Sequence, residues 1–141
     1  MADLHHEIEI EAPPAKVYEA LTTSEGLRGW WTSDSQAEPT VGSVAEFGFF
    51  NRQTIFRMQI DKLRPRKRIV WTCVEGPEEW KGTVLTWVLS REENGGTKLR
   101  FKHGKWRSSK GDFARCNSTW GALMWRLKSY AEGKSPGPHF T

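Results

Sequence analysis

The residues of this chain that could do chemistry are few, and their spacing does not group them. His103 takes the inward parity of the stretch "TKLRFKHG", where the base of a cavity enzyme would stand. A general base also needs a carboxylate to orient it and a reacting group within reach. The acids on the strands, Glu46 and Asp61, take the outward parity, and no Ser-His-Asp or Cys-His order can be fixed. His103 therefore reads first as a satisfied structural histidine and second as a catalytic one. His5 and His6 point to opposite faces of one strand and make a poor metal site. Cys73 and Cys116 fit no CxxC or Cys/His ligand spacing, and in a reducing cytoplasm they would be free thiols. No nucleophile, metal set or phosphate loop can be assembled, so no cofactor is called for and no robust hydrolase or transferase activity is expected.

The remaining chemistry lies on a helix. "CNSTWGALMWRLKSYAEG" puts Cys116, Asn117 and Trp120 on the face that should be apolar. A buried amide without a partner costs roughly 1 to 3 kcal/mol. These residues fit the wall of a partly hydrated pocket; the alternative is that Asn117 bonds a nearby loop and Trp120 only fills volume.

The elements that must position these residues follow from periodicity. "LHHEIEIEA" alternates Leu4, His6, Ile8 and Ile10 against His5, Glu7, Glu9 and Glu11, which predicts a half-buried strand near residues 4 to 11. In "PPAKVYEALT" the prolines fit only a first helical turn, and Val17, Ala20 and Leu21 share a face. Ser24 is read as the cap of a second short helix that ends at "GWW". Trp30 and Trp31 cannot both face one core from a helix end, so one is expected at the rim, as a ligand gate or as a plug.

A loop follows, and then the pattern is all strand. Ala45, Phe47 and Phe49 share one side of their strand, and Phe56, Met58 and Ile60 share one side of the next. Ile69, Trp71 and Cys73, then Leu85, Trp87 and Leu89, then Leu99, Phe101 and His103 repeat the alternation. "REENGGT" has the residues of a hairpin turn. The whole predicts an antiparallel meander with one wet face. The closing helix spans about Asp112 to Glu132, about 31 Å at 1.5 Å per residue. Its inner stripe is Phe113, Cys116, Asn117, Trp120, Leu123, Met124, Leu127 and Ala131, with Trp125 and Arg115 off it. An exposed Trp125 could mark a partner surface.

Composition bounds the function. At 141 residues the chain suits one domain, 1–141. No stretch approaches the ~20 apolar residues of a membrane span, and "MADLHHEIEI" lacks the pattern of a signal peptide, so a cytoplasmic protein is expected. The 21 Lys+Arg against 17 Asp+Glu give a net charge of +4. The densest basic run, "KLRPRKR", reads as a solvated turn broken by Pro65. A nucleic-acid reader would add stacking aromatics on the same exposed surface, whereas the aromatics here point inward, so no nucleic-acid partner is expected.

"IEAPPAKVYEALTTSEGLRGWW", "VGSVAEF", "IDKLRPRKRIVWT", "GGTKLRFKHGKW" and "WGALMWRLKSYAEGKSPGPHF" occur in the order and spacing of a known family. Over residues 4 to 140 the chain resembles the SRPBCC, or START-like, helix-grip superfamily, and specifically the homologues of the heat shock protein 90 ATPase activator. The resemblance implies an α+β helix-grip fold: a curved antiparallel sheet of about six or seven strands wrapped around a long C-terminal helix, with two short helices after strand one. It also implies a cavity for apolar ligands between sheet and helix. The residues placed there are Trp30, Trp31, Phe47, Phe56, Met58, Trp71, Trp87, Phe101, His103, Asn117, Trp120 and Met124. Three functions remain open. The first is non-catalytic binding, transport or sensing of a small hydrophobic or aromatic molecule. The second is a chaperone-associated stress-response module, with a chaperone or a second copy of the chain as partner. The third is a cavity enzyme of cyclase or hydratase type using His103. The namesake has an additional amino-terminal domain, whereas this chain starts directly at strand one, which weighs against an ATPase-stimulating role. Tryptophans filling the space would leave a solid core instead of a cavity.

Overall fold

Period-2 burial runs through every long strand, and it builds one sheet. The computed structural model describes residues 2–141. The chain forms β1 (Ala2–Ile10), α1 (Pro14–Thr22), α2 (Ser24–Trp30), β2 (Asp34–Gln36), β3 (Val44–Phe49), β4 (Thr54–Arg64), β5 (Arg68–Glu75), β6 (Val84–Arg91), β7 (Thr97–Trp106) and α3 (Asp112–Ala131). The seven strands order as β1-β7-β6-β5-β4-β3-β2, and each neighbouring pair is antiparallel. From β2 to β7 the sheet is a meander, with β1 added at the far edge beside β7. The inner face is covered by α3 and by the α1–α2 pair, as the helix-grip expectation requires.

Local chemistry sets the ends. Pro13 is the N-cap of α1 and Pro14 its first residue, where a missing N–H costs nothing. The cap of α2 is Thr23, one residue before the expected Ser24; its hydroxyl accepts from the Gly26 N–H at 2.9 Å. Ser24 instead ties down the following loop, exchanging hydrogen bonds with the backbone of Ala37. That segment, expected as a loop, contains the short strand β2 paired with β3. The first N–H of α3 is served from outside the helix: Glu79 accepts from the Asp112 N–H at 2.8 Å.

A bulge in β7 changes what the sheet buries. Leu4 pairs with His103 and Ala2 with Trp106, so two residues of β7 oppose the single Asp3. Lys105 absorbs the irregularity at φ +64. Strict alternation would turn Trp106 outward, but the extra residue turns it in, where it is 1% exposed.

Trp30 and Trp31 correct a second expectation, because both are buried, at 0% and 2% exposure. Trp30 ends α2 and donates its indole N–H to the Ala20 carbonyl at 2.9 Å. Trp31 leaves helical geometry (φ −104, ψ −81), so its ring is freed from the 100° helical step and stacks on Trp30 at 5.8 Å. Among the described residues, no helix is long and apolar enough to cross a membrane.

Candidate ligand cleft between sheet and helix

The space between α3 and the sheet is filled by aromatic rings over most of its length. Trp31 lies 4.4 Å from Phe47 and 6.4 Å from Trp71, centroid to centroid. Trp71 meets Trp87 at 5.6 Å, Trp87 meets Phe101 at 4.1 Å, and Phe101 meets Trp120 at 4.5 Å. Trp30, Phe47, Met58, Trp71, Trp87, Phe101 and Met124 are each buried in this core. They therefore support a site from behind and do not line one. The indole N–H groups of Trp71, Trp87 and Trp106 have no acceptor in this packing.

His103 belongs to the same solid interior. It is fully buried, and both ring nitrogens are engaged. Trp120 donates its indole N–H to Nδ1 at 3.1 Å, so Nδ1 carries no proton and Nε2 must. Nε2–H then donates to the Thr83 hydroxyl at 2.9 Å, and Thr83 donates to the Trp80 carbonyl at 2.5 Å. Every polar atom of the relay is satisfied. Burial pushes the His103 pKa down to about 3, which keeps the ring neutral. Glu46, with the outward parity expected, is held below the ordinary carboxylate range by hydrogen bonds from Arg52 and Arg57. Asp61 accepts from the Thr72 hydroxyl. Neither acid meets His103.

Packing stops short of the amino-terminal half of α3, and a cleft of about 370 Å³ opens there. Trp31, Trp80 and Trp120 make its floor. The sheet side is Phe49 of β3 and Phe56 of β4, edge to face at 5.2 Å, and Trp80 closes on Phe56 at 4.5 Å. The helix side is Cys116, Thr119 and Leu123. Two rings form the lip. Phe50 is 62% exposed at the start of a turn in which Phe50, Asn51 and Arg52 all have positive φ. Phe140 is carried there by the C-terminal segment. Its backbone bonds Trp31 and Ser33, and Arg126 clamps the preceding Pro136–Pro138 carbonyls. The polar groups are few: Thr119, whose hydroxyl donates to the Arg115 carbonyl, and at the margin Thr54 and the ion pair of Asp112 with Arg115.

Of the twelve residues expected to bind, the cleft brings together Trp31, Phe56 and Trp120. Asn117 is exposed, which corrects its place on the inner stripe. It sits at the margin of the stripe, on the part of α3 that reaches past the packed core, so its amide is hydrated and raises no burial cost. Trp80 and Phe140 escaped sequence reasoning because each stands in a loop without periodicity. Phe50 escaped because it begins a turn. Cys73 and Cys116 are free thiols. Burial pushes Cys73 up to about 12 and Cys116 up to about 11, so neither is an activated nucleophile. Among the described residues, no group of three His, Cys, Asp or Glu side chains could hold a metal ion.

The same architecture recurs in known proteins. The family described as Activator of Hsp90 ATPase homolog 1-like protein matches residues 11–132. The solution structure of the Aha1 dimer from Colwellia psychrerythraea is 35% identical, with a TM-score of 0.85, covering 94% of this chain and 98% of that one. Protein MLL2253 from Mesorhizobium loti (19% identity, TM-score 0.78, 91% and 95% covered) shares the fold. So does protein BH1534 from Bacillus halodurans (23%, 0.75, 94% and 98%). No curated protein matches the chain.

Proposed function

This chain belongs to the Activator of Hsp90 ATPase homolog 1-like protein family, and on that premise we propose that it is a non-catalytic binding protein for a small apolar or aromatic molecule. The observation that carries this reading is the cleft beside Trp120. Its volume of about 370 Å³ falls within the ~300 to 1,000 Å³ common for ligand sites, which pair apolar walls with few polar groups. A flat aromatic ligand would lie between Phe56 and Leu123 on the Trp31 and Trp120 rings, with any polar substituent at Thr54 or Arg115. The bonded, neutral His103 behind that floor supports binding over turnover.

The test is a fluorescence titration with the neutral probe N-phenyl-1-naphthylamine, run on the wild type, on Thr119→Trp, which fills the cleft from the helix side, and on Phe50→Ser at the exposed lip. Saturable enhancement in the wild type, abolished in Thr119→Trp and weakened in Phe50→Ser, is expected. An equal response from all three proteins would refute the assignment.

A second reading, a partner-binding module, is favoured by two observations: the Colwellia psychrerythraea relative is a dimer, and Trp125 is 63% exposed on the outer side of α3. Under it the chain self-associates through Trp125. Light scattering would show a dimer that Trp125→Glu converts to monomer.

A further inference from the structure

The basic run around Pro65 is the exposed turn its sequence predicts, and it is more than a solvated loop. It forms one wall of a groove of about 710 Å³ at the far end of β4 from the cleft. Arg64, Arg66, Lys67 and Arg68 come from the β4–β5 turn, and Arg91 from the end of β6. The turn is fixed: the Lys67 N–H donates to the Arg64 carbonyl at 2.9 Å, and the Lys67 carbonyl accepts from the Leu89 N–H at 2.8 Å. None of these five cations has a carboxylate partner among the described residues, and no acidic residue lines the groove. Elsewhere on this surface arginines pair readily, Arg52 with Asp34 and Glu46 and Arg57 with Glu46 and Glu75. The opposite wall is apolar, built from Pro13, Pro14 and Ala15, and Val88, the cross-strand neighbour of Arg68, adds apolar surface beside the cations.

We propose that this groove docks an acidic peptide segment of a partner protein, one that presents carboxylates to the cationic wall and apolar side chains to the proline wall. Charge complementarity chooses the sign of the occupant. The apolar wall chooses its kind. A free phosphate would leave Pro13, Pro14 and Val88 without a role. Single-stranded nucleic acid would need stacking aromatics, and the groove has none. A membrane surface is flat, whereas the groove is concave. The site is separate from the cleft and stands or falls independently of it.

The test is fluorescence anisotropy with a fluorescein-labelled peptide of alternating glutamate and leucine, titrated with the full chain at low and moderate salt. Oligoglutamate of the same charge, inorganic phosphate, phosphatidylglycerol vesicles and a DNA oligonucleotide serve as competitors. The peptide should bind saturably, more tightly than any competitor, and weaken with added salt. The R66E/K67E variant, altered only at exposed turn positions, should lose at least about tenfold in affinity, equivalent to about 1.4 kcal/mol. R107E, at an exposed cation outside the groove, should bind like the wild type, and thermal melts establish that both variants are folded. Absence of saturable binding, equal affinity in R66E/K67E, or preference for DNA, vesicles or phosphate would overturn the proposal.

Discussion

Trp120→Ala is the substitution that weighs core against cleft, since this side chain belongs to both. The indole is 2% exposed and contacts Phe101 at 4.5 Å, Trp31 at 5.2 Å and Trp87 at 5.8 Å. Removing roughly 200 Å² of buried aromatic surface at 25 cal/mol per Å² costs about 5 kcal/mol. The lost N–H leaves His103 Nδ1 without its donor, which in a sealed core adds about 1 to 3 kcal/mol. Trp120 separates His103 from the cleft, however, so the vacated space joins an opening that water already reaches. Hydration of Nδ1 and the absence of a closed cavity offset that penalty and part of the first term. The expected loss is about 4 kcal/mol, within the range of ~3 to 5 for tryptophan truncated in a core. At about 2 to 4 °C per kcal/mol for a domain near this size, the melting temperature should fall by about 12 °C. Urea unfolding followed by far-UV circular dichroism, which does not depend on the indole removed, measures the change. A loss below about 1.5 kcal/mol with an unchanged denaturant slope would contradict this, for it would make Trp120 a cleft wall with little share in the core.

Three other outcomes are expected. The folded pKa of His103 lies at about 3, against about 6.5 unfolded. The unfolded chain alone takes up this proton between those values, so the His103 contribution is complete above about pH 6.5 and declines by up to ~1.4 kcal/mol per pH unit as pH falls towards 3. Accordingly its ring NMR signals should not titrate between pH 8 and pH 4, and a midpoint near 6.5 would contradict the buried relay. Cys116, with its thiol raised to about 11 from 9.0, should react with iodoacetamide about tenfold more slowly at neutral pH than an ordinary thiol, the scarcer thiolate being partly offset by its higher nucleophilicity; mass-spectrometric labelling at the ordinary rate would contradict this. Gly26→Ala should destabilise by about 2 kcal/mol or more in urea melts, because a Cβ there would stand 2.7 Å from the Ala20 Cα and the Glu19 carbonyl oxygen; a neutral result would mean that α1 and α2 can separate freely.

Most of the sheet was legible because strand parity is a local property. The inward sides assigned to Phe47, Phe56, Trp71, Trp87 and Phe101 are those the structure buries. The stripe of α3 was legible for the same reason, from Trp120 to Ala131. What failed depended on contacts distant in sequence. Trp106 turns inward through a bulge opposite Asp3, and periodicity has no term for an extra residue. Trp31 buries its ring because the backbone leaves the helix beneath it. The site was harder to read than the fold. Whether Trp71, Trp87 and Trp120 enclose a space or fill it depends on ring volumes summed over several strands and a helix. The structure fills that space and leaves a smaller opening at its end. Two parts of that opening, Trp80 and Phe140, come from segments with no repeating pattern.

Under the proposed function, the cleft of Trp31, Phe56 and Trp120 binds a small apolar molecule while the aromatic core behind it stays shut. Heteronuclear NMR of the ¹⁵N-labelled chain, titrated with N-phenyl-1-naphthylamine, tests it most directly. Saturable shifts are expected at the amides of Phe50, Thr54, Cys116 and Thr119 and at the Trp120 indole N–H, with the indole signals of Trp71 and Trp87 unmoved. Shifts that never saturate, or that centre on Trp71 and Trp87 and leave Thr119 unchanged, would contradict it.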